Sequence, residues 1–67
     1  MKKIHHKRVE AKAMEYGYSA LFALVPREEA QKRLDYARKI NDTLGTTIAL
    51  MLLQNVNAYE KALKELE

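Results

Sequence analysis

Ile40-Asn41-Asp42-Thr43-Leu44-Gly45-Thr46-Thr47-Ile48-Ala49-Leu50-Met51-Leu52-Leu53 carries one of the chain's two glycines into six consecutive apolar residues, Ile48 to Leu53. Ala30, Leu34, Ala37, Asn41, Leu44 and Ile48 keep a 4,3,4,3 spacing straight through Gly45. Beyond it, Leu52, Val56, Tyr59, Leu63 and Leu66 continue the rhythm, shifted by one position. Two readings fit this pattern. In one, residues 26–66 form a single helix, roughly 60 Å long at 1.5 Å per residue, with the shift absorbed in its winding. In the other, Gly45 ends a helix and Thr46 or Thr47 caps a third, giving a compact three-helix bundle.

Upstream, Ala11, Met14, Tyr18, Leu21 and Val25 follow a heptad-like spacing that predicts a first helix over about 4–24. Ala13, Gly17 and Ala20 form a row of small residues beside it, which suits the close approach of another helix. Pro26 ends that helix and starts the next, whose first turn takes Glu28 and Glu29 at the positive end of the dipole. No Asn-Gly or Asp-Gly turn, sustained alternation or β-branched run is present. The fold class is therefore all-α, as an antiparallel helical hairpin. One domain of 67 residues accounts for the chain, with residues 1–8 as a basic, solvated and frayed end.

Size bounds what such a chain can do alone. Area scaling for 7.8 kDa gives roughly 4,400 Å² of folded surface against roughly 11,300 Å² unfolded. Burial of the apolar part then contributes on the order of 100 kcal/mol, and ordering the chain costs about the same. No cysteine is present to add a disulfide. A first helix of roughly 32 Å covers only half of a continuous second one, and Ile48 to Leu53 is apolar on every face. A homodimer or higher homo-oligomer is expected, two hairpins pairing into a dimeric four-helix bundle. Its core would comprise Met14, Tyr18, Leu21, Val25, Leu34, Ile40, Leu44, Ile48, Leu52, Val56, Tyr59 and Leu63. Ile48, Leu50, Met51, Leu52, Leu53, Val56 and Tyr59 are the self-association candidates.

Charge is unevenly placed. Residues 1–25 carry five basic and two acidic side chains (+3), residues 26–47 five and four (+1), and residues 48–67 two and three (−1). Lys2, Lys3, Lys7, Arg8 and Lys12 form the candidate anion or nucleic-acid patch, without the aromatic interleaving of a single-strand binder. Glu28–Lys32, Glu29–Arg33, Asp35–Lys39 and Glu60–Lys64 are i,i+4 pairs in the acid-first order and neutralise their own faces. His5 and His6 point about 100° apart on a helix, and His6 with Glu10 makes only a two-ligand set, so no metal site is expected.

Catalysis has little to build on. Ser19 is the only serine, no glycine-rich phosphate loop exists, and no paired carboxylates share an apolar face. Apolar runs of six residues are too short to span a bilayer, and Met1-Lys2-Lys3 is followed by His5-His6-Lys7-Arg8 rather than an apolar segment. The expectation is a cytoplasmic, non-catalytic, cofactor-free protein. It acts as a protein-interaction or regulatory module, with a basic nucleic-acid-binding regulator as the alternative.

Overall fold

The computed structural model describes residues 6–67. Helix α1 (His6–Ala13) continues as a single 3₁₀ turn over Met14–Tyr16; α2 spans Arg27–Lys39 and α3 spans Thr43–Leu66. Among the described residues every regular element is helical. The molecule is elongated, 44 × 20 × 15 Å.

The first helix is much shorter than the heptad count over residues 4–24 predicts. Gly17 adopts φ +97°, and two backbone bonds close the end: Gly17 N–H to Met14 O and Tyr18 N–H to Ala13 O. That is a Schellman motif, with Gly17 as its left-handed residue. Gly17 thus terminates the helix instead of lying in mid-helix, and it is also a place of close approach, since an added Cβ would collide with the Gln54 side chain of α3. Residues 17–26 cross the surface without regular structure, which leaves Leu21 92% exposed and Met14 exposed instead of in the core.

Pro26, expected as the first helical residue, is instead the N-cap of α2, which starts one residue later at Arg27, and Glu28 and Glu29 occupy the first turn. The continuous helix over 26–66 is broken, but at Asn41 and not at Gly45. Asn41 takes φ +58°, with its N–H on Arg38 O and the Asp42 N–H on Ala37 O. This second Schellman closure uses asparagine, which tolerates the left-handed region better than other side chains. Asp42 then caps α3 by accepting the Gly45 N–H at 3.0 Å. Thr46 and Thr47 are inside the helix, their hydroxyls donating to the carbonyls of Asp42 and Thr43.

Helix α3, about 36 Å long, is the spine. The tight connection folds α2 back antiparallel along its N-terminal half, where α2 buries Ala30, Leu34 and Ala37. Ala49, Leu52 and Val56 are buried on α3. Helix α1 lies on the C-terminal half, where Val9, Ala13 and Tyr18 form a core with Ala58 and Ala62, flanked by Tyr16, Tyr59, Leu63 and Leu66. Helices α1 and α2 do not touch each other. Of the core expected from sequence, Tyr18, Leu34, Leu52 and Val56 are buried, whereas Ile40, Leu44 and Ile48 are exposed.

Candidate functional site

Positions on α3 sort by 100° steps into faces with different fates. Leu44, Ile48, Met51, Asn55, Ala58 and Ala62 fall on one stripe about 80° wide, at the 4,3,4,3,4 spacing of a coiled-coil seam. Its C-terminal half is covered: Asn55, Ala58 and Ala62 are buried, the last two against Val9 and Ala13 of α1. Its N-terminal half is only partly covered: Leu44 is 70% exposed, Ile48 39% and Met51 36%. A second stripe, Gly45, Ala49, Leu52 and Val56, lies about 110° away and meets α2; an added Cβ at Gly45 would stand 3.4 Å from that of Ala37.

Helix α2 adds to the partly exposed half. Tyr36 and Ile40, both exposed, lie about 100° from the row Ala30, Leu34 and Ala37 that α2 buries. The offset has the same sense as that of the α3 seam from its own α2-facing stripe. In an antiparallel pair, equal offsets place both rows on the same side of the hairpin. Tyr36, Ile40, Leu44, Ile48 and Met51 therefore form one apolar patch beside α1. Soluble monomers rarely expose an apolar surface of this continuity without a partner for it.

The sequence-predicted association residues divide three ways. Ile48 and Met51 are in the patch. Leu52 and Val56 are buried within the chain, and Tyr59 is half-buried beside α1. Leu50 and Leu53 line an open groove of about 490 Å³ on another face of α3, with Tyr16, Gln54, Asn57, Ala58 and Lys61. Tyr36 is absent from the sequence-derived set because it lies about 100° off the Ala30, Leu34 and Ala37 row that marks the buried face of α2.

Polar contacts fasten the covered half. Asn55, 1% exposed, accepts the Ser19 N–H and donates to the Ser19 carbonyl, both at 2.8 Å. His6 contacts the Tyr59 hydroxyl through Nδ1 at 2.8 Å and Glu10 through Nε2 at 3.3 Å. The Tyr18 hydroxyl donates to Glu10 at 2.8 Å, and the Tyr16 hydroxyl donates to Glu65. Burial and the bond to Glu10 push the Tyr18 phenol up to about 12. The bond to Glu65, with some desolvation, pushes Tyr16 up to about 12 as well. Among the described residues, no group of three or more His, Asp or Glu side chains is placed to hold a metal ion.

Of the candidate basic patch, Lys2 and Lys3 lie outside the described residues. Lys7 and Arg8 are exposed on α1. Lys12 is engaged by Glu15 at 3.4 Å and Glu65 at 3.8 Å, and its ammonium sits 5.9 Å from the Tyr16 ring. Of the expected i,i+4 pairs, Arg33 bonds Glu29 at 2.8 Å, while Asp35 accepts from Gln31 and Glu60 accepts from Arg27 across to α2. No described helix is long and apolar enough to cross a membrane. Comparison with protein-family models, with curated proteins and with solved structures gives no match.

Proposed function

We propose that this protein is a small, non-catalytic helical interaction module that associates with itself through the partly exposed half of the α3 seam. The supporting observation is the asymmetry of that seam. One continuous stripe is covered at Asn55 by the Ser19 backbone and at Ala58 and Ala62 by α1, and is exposed in part from Leu44 to Met51.

Equilibrium unfolding at roughly 1 and 100 µM tests the reading, because association that involves only folded chains makes the midpoint rise with concentration. An unchanged midpoint over that range would sink it. A basic nucleic-acid regulator makes a different prediction: retention on heparin that falls steeply with salt and disappears when Lys2, Lys3, Lys7, Arg8 and Lys12 are neutralised. With Lys12 held by two carboxylates, that reading has less to stand on.

A further inference from the structure

Helix α3 serves two separate cores. At its C-terminal half Val9, Ala13 and Tyr18 pack with Ala58 and Ala62. At its N-terminal half Ala49, Leu52 and Val56 are buried beside Ala30, Leu34 and Ala37 of α2. Helices α1 and α2 do not touch, so among the described residues the two cores are joined only through the spine and the irregular segment 17–26. We propose that α1 is a releasable cover: residues 6–18 leave α3 as one unit, hinged between Tyr18 and Ser19, while the α2–α3 hairpin stays folded.

The contact that holds the cover is thin. Its buried apolar part is Val9, Tyr18 and three alanines, and an alanine removes little area from water. Around it, His6 with Tyr59, Tyr16 with Glu65 and Lys12 with Glu65 meet at the surface, where polar and ionic pairs contribute little. Helix α1 cannot stand alone either. Its eight residues fall below the roughly 12–15 at which an isolated helix is even marginal in water. Leaving α3 and melting are therefore one event for α1.

Two adjacent residues with different polar partners mark the hinge. The Tyr18 N–H donates to Ala13 O and its hydroxyl to Glu10, which ties Tyr18 to α1. The Ser19 N–H and C=O both bond the Asn55 amide, which ties Ser19 to α3. Release takes Ala58 and Ala62 from cover into water. The exposed stripe that begins at Leu44, Ile48 and Met51 then runs on towards the C-terminus, so the cover sets how much of the seam is open.

Amide hydrogen exchange on the folded, unsubstituted chain, resolved residue by residue, reads such partial opening directly. Relative to their unstructured rates, the Lys12, Ala13 and Tyr18 amides exchange at least roughly tenfold faster than those of Leu34, Ala37 and Leu52. The Ser19 amide is protected with the hairpin. Val9→Asp puts a charge into the α1 core, erases protection from Glu10 to Tyr18 and leaves α2 protected. Protection in α1 equal to or above that of α2 would overturn the proposal. So would a Val9→Asp chain that loses protection in both helices together. A Ser19 amide that exchanges with Tyr18 would overturn the hinge, and with it the unit of residues 6–18.

Discussion

Asn55 meets a demand that no apolar residue could. The chain leaving α1 must pass over α3, and at Ser19 both of its backbone hydrogen-bonding groups turn towards the spine. One primary amide supplies the matching donor and acceptor. Asn55→Ala leaves the Ser19 N–H and C=O without those partners and should cost about 1–3 kcal/mol by urea unfolding, the penalty of roughly one unsatisfied buried group, because water reaches part of the half-buried Ser19. A cost under a few tenths would show that the 17–26 segment is not held there. Gly17 and Asn41 are the other decisive positions, both in the left-handed region. Gly17→Ala should lose about 1–2 kcal/mol, because the new Cβ is strained at φ +97° and would also displace the Gln54 side chain. Asp42→Ala should lose about 1 kcal/mol as the α3 cap disappears. Gly45 is inside the first turn of α3, where its missing Cβ leaves room for the capping carboxylate.

At the scale of the elements, α1 is joined to α3 by small apolar contacts and a ring of tyrosine, histidine and glutamate groups. Its attachment should therefore depend on pH at the alkaline end. Below about pH 10 the Tyr16 and Tyr18 phenols are neutral in folded and unfolded chains alike, and their full contribution is present. Above that, the unfolded chain ionises first, while the folded phenols hold their protons up to about 12. Stability should thus fall across pH 10–12. Ultraviolet titration should show tyrosine ionisation continuing to about pH 12 in the folded chain, and an early single step near 10 for all four tyrosines would contradict the bonds to Glu10 and Glu65.

The same elements show what sequence reveals and what it conceals. Helix content and the start of α2 next to Pro26 were legible, because propensity and backbone chemistry are local. So was the presence of exposed apolar surface near Ile48. The end of α1 was not: Tyr18, Leu21 and Val25 extend the seam numerically, yet Gly17 turns the chain before they can use it. Asn41 was likewise hidden, since a seam asparagine and a helix-terminating one look identical until φ is known. The division of Ile48 to Leu53 among three faces required knowing where α1 and α2 lie.

For the molecule as a whole, the arrangement leaves one side of the hairpin half covered. Substitutions there should separate folding from association. Leu52→Asp puts a charge into the α2–α3 core and should unfold the chain, by roughly 3 kcal/mol or more. Ile48→Asp, on the partly exposed seam, should leave the helical circular dichroism of the diluted protein intact and abolish pairing. Static light scattering behind size exclusion, on the unsubstituted chain and Ile48→Asp at matched concentrations, measures self-association itself. The expected masses are twice 7.8 kDa for the former and 7.8 kDa for the latter. Equal masses for the two chains, with α3 still helical in both, would contradict it.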